Sequence, residues 1–471
     1  MTDISGNRKE RNSMDYIKID ERICTGCREC AEVCPAGAIS GRPGQPQTID
    51  TDKCIKCGRC VQKCKGYITN FRENAELYNE IKEERHLPKD IREPLFAAYN
   101  VCRVEQVIEA LNNPEVFTMV QCAPAVRVAI AEEFGHRFGT LSDKKLAAVL
   151  KALKFDRVYD TDFTADLTIM EEGSELIQRV TGGGVLPMFT SCCPAWVQYM
   201  EKNRPNLTAH LSSCKSPQQM MGAVMKTYGA KINNIDPEKI FTVSVMPCTA
   251  KAFECDRPEM NDSGYKDVDC VLTTRELAYL IKTMDIDFDR LEEAAYDGPL
   301  GDFSGAGVIF GATGGVMEAA IRTGYELITG QPVENIDIEE VRSDKGTRRA
   351  IIRCGDLKLK VGVVTGLENI DMLLDAVEGG FSDLDFIEVM TCPTGCVSGG
   401  GQPKVLVDTM LDAAYGSRRE ALFRLDGELP VRKSHENPSI KKIYDDFLEK
   451  PLGEKSHHLL HTTYRDGKET N

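Results

Sequence analysis

From about residue 100 onward, short apolar runs alternate with amphipathic stretches of helical period. That alternation predicts an α/β domain, the runs forming buried strands and the stretches forming helices that cover them. "EVFTMVQCAP" (115–124) reads as a strand followed by a helix starting at Pro124, a favourable first helical position. "GVLPMFTSCCPAW" (184–196) reads as a strand running into a Cys-Cys loop. "KIFTVSVMPCTAK" (239–251) does the same with one cysteine, and "LDFIEVMTCPTGC" (384–396) with two. In "TIMEEGSELIQRV" (168–180), Ile169, Leu176, Ile177 and Val180 make an apolar stripe, while Glu172, Glu175 and Arg179 share another face. From periodicity alone that second face is a solvated Glu–Arg ladder.

The first seventy residues follow a different rule. "IDERICTGCRECAEVCP" begins at Ile19 and "IDTDKCIKCGRCVQKCK" at Ile49, an offset of 30 residues. Each copy carries C-x2-C-x2-C-x3-C: Cys24, Cys27, Cys30, Cys34, then Cys54, Cys57, Cys60, Cys64. Three thiolates two residues apart wrap one cubane, and the fourth points to the other cluster. So Cys24, Cys27, Cys30 and Cys64 are expected to hold one 4Fe–4S cluster, and Cys54, Cys57, Cys60 and Cys34 a second. Zinc sites pair two-cysteine knuckles instead of such triples. The module resembles bacterial two-cluster ferredoxins, although its second run ends in Cys64-Lys65 where the first has Cys34-Pro35.

Composition narrows the class. The formal charge of −15 argues against nucleic acid and anionic membranes as partners. No apolar run approaches the ~18 residues of a membrane span, and the N-terminus lacks the apolar core of a signal peptide. A cytoplasmic protein with a short mobile tail is expected. Nineteen cysteines in such a chain point to metal more than to disulfides. The expected layout is a mobile tail (1–15), a ferredoxin-like domain (16–70), a linking helix (71–95) ending near Pro88, a large α/β domain (96–425) and a C-terminal segment (426–471). The α/β domain should have mixed sheets flanked by helices, and the ferredoxin-like domain should be α+β.

In open α/β sheets, ligands gather beyond the carboxyl ends of strands. Cys193, Cys248, Cys392 and Cys396 can therefore converge on a third cubane built from distant segments. "TSCCPAW" (190–196), "MPCTAKAFE" (246–254) and "EVMTCPTGCVSGGGQP" (388–403) resemble the three signature motifs of the FeFe-hydrogenases, in order and intact. The likeness runs from the ferredoxin module to about residue 461. Pro393 and Thr394 stand where many relatives carry other small or polar residues.

The resemblance implies an H-cluster: a 4Fe–4S cubane joined to a di-iron unit with carbon monoxide, cyanide and a bridging azadithiolate, a dithiolate with a pendant amine. It implies that Cys193, Cys248 and Cys392 ligate the cubane and that Cys396 also bridges to the di-iron unit. Lys251 would reach a cyanide nitrogen. Met246 and Met390 would wall the di-iron unit, and Ala123, Pro124, Ser216, Pro217 and Gln218 match segments lining the same pocket. Cys192, Glu172, Ser212, Glu175 and Arg179 match a proton path from the amine to solvent. Read from spacing alone, Lys251 is a solvated lysine, Cys192 a small buried hydrophobe, and the methionines ordinary core. Cys102, Cys122, Cys214, Cys255, Cys270 and Cys354 read as packed thiols. His435, His457, His458 and His461 read as structural in a tail that wraps the catalytic domain.

The expected activity is reversible H2 = 2 H+ + 2 e−. Electrons would pass to ferredoxin or flavodoxin through the two N-terminal clusters, and maturation enzymes would supply the di-iron unit. The alternative is a Narf-like iron–sulfur assembly or carrier protein without a di-iron unit, which has no need of "TSCCPAW", Lys251 and the proton-path set. A sensory hydrogenase is a third reading, and the appended sensor domain it calls for is not evident.

Overall fold

The 30-residue repeat is visible in the backbone. Gly26 and Lys56 have positive φ (69° and 57°), as do Arg28 and Gly58 (66° and 74°), so each copy turns left-handed twice between its first three cysteines. Each then enters a short helix, Glu29–Glu32 or Arg59–Lys63. Three small ladders frame the pair, in a computed structural model that describes residues 16–465 except 334, 343–345 and 369. The tail expected at 1–15 lies outside the described residues. Strands β1 (Ile17–Ile19), β2 (Ile39–Ser40), β3 (Thr48–Ile49), β4 (Tyr67–Ile68), β5 (Leu95–Phe96) and β6 (Ala98–Asn100) pair antiparallel as β1–β6, β2–β3 and β4–β5.

This pairing corrects two expected boundaries. The helix Ala75–Glu84 is no free linker: Tyr78 and Ile81 bury against Ile68 and Leu95, and the Tyr78 hydroxyl donates to the Glu93 carbonyl at 2.9 Å. Leu95, expected at the end of the linking helix, and residues 96–100, expected in the large domain, return to complete the ladders of the cluster module. Strands as short as β5 and β6 lack an alternating signature of their own, so the sequence pattern places the boundary too early.

The large domain holds two four-stranded sheets. One is wholly parallel, in the order β11 (Cys270–Thr273), β10 (Ile240–Met246), β7 (Phe117–Cys122), β8 (Arg157–Asp160). The other has the order β12 (Thr347–Cys354), β13 (Leu357–Thr365), β14 (Phe386–Met390), β9 (Met188–Phe189), antiparallel only at β12–β13. β7, β10 and β14 are buried on both faces, as continuous apolar runs under helices should be. The expected mixed α/β class holds.

The helix expected at Pro124 is a correction. Residues 124–129 form successive turns, and a 3-10 helix follows at Ile130–Phe134. The Ala125 carbonyl, which a helix would bond to its own chain, accepts the Gln402 side-chain amide at 2.8 Å. Proline suits a helix start, but a tertiary demand on the next carbonyls overrides it here.

The C-terminal part is locked on by buried charges. Arg322, on the helix Gly315–Thr329, meets Asp426 of the helix Leu411–Glu428 with two bonds of 2.9 and 2.8 Å, and both side chains are buried. Arg432 adds a 2.6 Å bond to the same carboxylate. Burial alone would raise the Asp426 carboxyl, but Arg322 and Arg432 outweigh it and hold the carboxyl below its ordinary value. The stability this contributes is present above the unfolded carboxyl value of about 3.9 and is lost as pH falls through the lower folded value. We expect Asp426→Asn to cost about 3–5 kcal/mol at pH 7, because two guanidinium groups lose their carboxylate, and the gap from wild type to narrow below about pH 4. Anaerobic denaturant midpoints across pH test this; a gap that does not depend on pH would remove the charge argument.

Candidate active site

The carboxyl ends of β9 and β14 from one sheet and β10 from the other open on one cavity, about 780 Å3 of atom-free space counting the open solvent at its mouth. Cys192, Cys193, Cys248, Cys392 and Cys396 line it, with Ala123, Pro124, Pro217, Gln218, Met246, Met390 and Lys251. Of the expected wall residues only Ser216 is set back, lining a smaller hollow behind. Burial pushes the Cys248 thiol up to about 11 and Cys396 up to about 12, each raised further by its thiol neighbours. Thiols so reluctant to ionise in an apolar cavity ionise when a metal replaces the proton. The donor set fits a cubane, and the remaining apolar space fits a group held by little covalent bonding.

Cys193 and Cys192 face different neighbours, since adjacent residues on extended chain point apart. Cys193 Sγ lies 3.3 Å from Thr391 Oγ1, beside the other ligand-type thiols. Cys192 has Glu172 as its foremost charged neighbour. Pro194 then opens the helix Pro194–Asn203 immediately after the pair.

The glycines of 395–401 are close-approach positions. A Cβ on Gly399 would collide with the Pro247 carbonyl oxygen, and one on Gly400 would sit 2.6 Å from the Cys57 carbonyl oxygen. Gly395 has φ +87° and abuts the backbone of Ala312 and Thr313. The same segment is the seam with the cluster module. Gln62 Nε2 donates to the Gly399 and Gln402 carbonyls at 3.1 and 2.8 Å, and Thr249 Oγ1 donates to the Lys56 carbonyl at 2.7 Å. In that module the thiols gather as two crossed sets. Cys30 feels Cys64, Cys24 and Cys27, whereas Cys57 feels Cys54 and Cys34. Cys24, Cys27, Cys30 and Cys64 line one hollow together. The set with Cys57 abuts the large cavity, and the set with Cys27 reaches the surface.

Lys251 is buried, not solvated. Its Nζ donates to Glu254 at 2.9 Å and to the Cys192 carbonyl at 3.1 Å. Burial works against the ammonium, but Glu254 overcomes it and keeps the pKa above the ordinary value. The same Glu254 oxygen accepts from Ser216 (2.9 Å) and Gln218 (3.0 Å), so one carboxylate gathers three of the expected site residues. Sequence reasoning missed Glu254, although it closes the motif "MPCTAKAFE" three residues after Lys251.

Behind Cys192 runs a file of polar groups on the helix Thr161–Gly182. The Glu–Arg face is not a solvated ladder, for Glu172 and Glu175 are buried. Neither Glu172 carboxylate oxygen meets hydrogen-bond geometry. Burial pushes its pKa up to about 8, offset only in part by Ser212 and the Ser191 amide nearby. Ser212 Oγ donates to Glu175 Oε2 at 3.1 Å, and Arg179 pairs with Glu175 at 2.6 Å near the surface.

Residues 116–400 match the family model "Iron only hydrogenase large subunit, C-terminal domain". The chain belongs to the FeFe-hydrogenase family. Residues 412–467 match "Iron hydrogenase small subunit", and 16–65 match "4Fe-4S dicluster domain". The NADP-reducing hydrogenase subunit HndD of Solidesulfovibrio fructosivorans is 45% identical, over 98% of this chain and 76% of that protein. Iron hydrogenase 1 of Clostridium pasteurianum is 40% identical, over 89% and 75% respectively. A solved [FeFe]-hydrogenase HydA1 from Chlamydomonas reinhardtii superposes with TM-score 0.68 at 43% identity, covering 77% of this chain and 99% of that one. More distantly, cytosolic iron-sulfur assembly component 3 of Rattus norvegicus is 30% identical over 88% of this chain and 83% of that protein. Membership makes the chain an oxidoreductase with iron–sulfur clusters.

The geometry makes one direct prediction. Glu172 should hold its proton at neutral pH and lose it near pH 8, the reverse of a solvated glutamate. Infrared spectra should contain a protonated-carboxyl band at pH 7 that is missing from Glu172→Gln; a wild-type band already gone at pH 5 would refute the burial argument.

Proposed function

We propose that the chain is a hydrogenase catalysing H2 = 2 H+ + 2 e− at an H-cluster in the cavity between the two sheets. The observation that carries this reading is the cavity itself: four ligand-type thiols, Lys251 and Cys192 share one apolar chamber that leads to buried Glu172. Cys193, Cys248 and Cys392 would hold the cubane, and Cys396 would hold it while bridging to the di-iron unit. When bound, the H-cluster supplies the heterolytic splitting of dihydrogen and the amine base beside it.

The chain's own residues move the protons and fix the cofactor. Lys251, kept charged by Glu254, presents an ammonium to a compact anionic ligand. Met246 and Met390 close the apolar wall. The Cys192 thiol stays protonated, held well above its ordinary range by burial and by Glu172. It can therefore give a proton toward the cavity and regain one from Glu172. Glu172, at about 8, is poised to hold and release a proton near neutral pH. Ser212 and Glu175 carry it on, and Arg179 stands at the exit.

Electrons travel the other way out. The cluster of Cys34, Cys54, Cys57 and Cys60 is the inner one, because Cys57 touches the Gly400 turn. The cluster of Cys24, Cys27, Cys30 and Cys64 is the outer one, because Cys27 is exposed. Ferredoxin or flavodoxin in the cytoplasm is the proposed partner at that end. The name of the HndD relative favours a second reading, in which the partner is a subunit of an NADP-reducing assembly. No helix among the described residues is long and apolar enough to cross a membrane.

The fully matured protein should evolve hydrogen from reduced viologen and carry infrared bands of metal-bound carbon monoxide and cyanide. Cubane iron with neither these bands nor turnover after full maturation would favour the carrier role. Evolution with reduced ferredoxin or flavodoxin alone supports the first partner, and a requirement for added subunits the second. Cys192→Ala should lower turnover by about 100-fold or more while retaining both sets of bands. Loss of iron in that variant would make Cys192 a ligand instead.

A further inference from the structure

The C-terminal histidines leave one feature unexplained. His461 is almost wholly buried, and it stands beside the polar file at Glu175. Its Nε2 lies 3.1 Å from Glu171 Oε2, and its Nδ1 lies 2.8 Å from Ser213 Oγ. Glu171 also accepts from the Tyr444 hydroxyl (2.6 Å) and from the Leu452 backbone amide (2.8 Å). A carboxylate accepting this many bonds fixes the tautomer: Nε2 donates to Glu171, and Nδ1 accepts from the Ser213 hydroxyl.

Ser213 in turn meets the proton route. Its backbone amide donates to Glu175 Oε2 at 3.0 Å, the oxygen that also receives Ser212 Oγ. Cys214 Sγ lies 4.0 Å from that oxygen and 4.0 Å from His461 Nδ1. A closed ring results: Glu171, His461, Ser213, Glu175, and back along one turn of the same helix to Glu171. With Nδ1 occupied by Ser213, the Cys214 thiol is left to face Glu175.

The segment 212–214 belongs to no regular helix or strand beyond isolated bridges, so its own backbone does not fix it. The tail does. Cys214 bridges to His461, Thr462 N donates to the Ser213 carbonyl at 2.7 Å, and Tyr464 Oη donates to the Ser212 carbonyl at 2.8 Å. An acceptor that must alternate between holding and passing a proton needs its donors at fixed angles within about 3 Å.

We propose that His461 is a positioning residue of the proton route, aiming Ser212 and Ser213 at Glu175 through the ring closed by Glu171. This rests on the proton path described above. Cys214, read from sequence as a packed thiol, packs beside that ring with its Sγ 4.0 Å from Glu175 Oε2.

The test uses the fully matured protein and three variants, His461→Phe, Ser213→Ala and Glu175→Gln, with infrared bands recorded for each. His461→Phe should keep the metal-bound carbon monoxide and cyanide bands, lower kcat by about tenfold or more, and raise the solvent deuterium isotope effect. Ser213→Ala removes only the hydroxyl link and should lower kcat by about threefold, with the isotope effect moved the same way. A purely structural histidine would reduce yield or melting temperature and leave the isotope effect of the loaded enzyme unchanged, which overturns the proposal. If His461→Phe fails to load, Ser213→Ala decides: wild-type kcat and isotope effect there overturn it. Wild-type turnover in Glu175→Gln would overturn the route itself. Impaired turnover in Glu175→Gln with wild-type behaviour in the other two variants would remove only His461.

Discussion

Everything at this site depends on how closely residues 395–401 approach the chains around them. Pro247, Cys57 and Thr313 each stand where a side chain on one of these glycines would have to go. That contact sets the distance between the carboxyl ends of two separate sheets and seats the cluster module against both. Arg418 then fixes the turn from the far side. It is buried, donates to the Val397 and Pro403 carbonyls at 2.9 and 3.1 Å, and pairs with Glu132 at 2.6 Å. A cavity that holds a large group with few covalent bonds needs walls that do not relax, and backbone packed on backbone supplies them.

Much of the site was legible in the sequence because cysteine spacing encodes it locally. The triple cysteine runs specify their own geometry, and the strand-end cysteines follow from the rule that α/β ligands sit beyond carboxyl ends. What was not legible depends on contacts between distant segments. The Pro124 helix fails because Gln402, 277 residues away, claims the Ala125 carbonyl. The module boundary moved because β5 and β6 are too short to announce themselves. Burial of Glu172 and Glu175 is invisible to periodicity, since a helix face covered by the segment 211–214 and the tail reads like one covered by water.

Glu254 and Glu171 illustrate the same limit from the other side. Each is an ordinary acid in sequence, and each is a hub in space: one organises Lys251, Ser216 and Gln218, the other Tyr444, Leu452 and His461. A buried carboxylate is costly unless several donors surround it, so both hubs hold their neighbours as firmly as their neighbours hold them.

The approach of Gly400 to the Cys57 carbonyl and the Gly58 backbone carries a consequence for timing. With backbone against backbone, the module and the cavity wall are held together, so the gap between the proposed inner cluster and the cavity would be constant. Internal electron passage along that route would then be indifferent to solvent viscosity and to loop motion. In the proposed reading the variable steps are left at the two surfaces, where a carrier would dock near Cys27 and protons would leave beside Arg179.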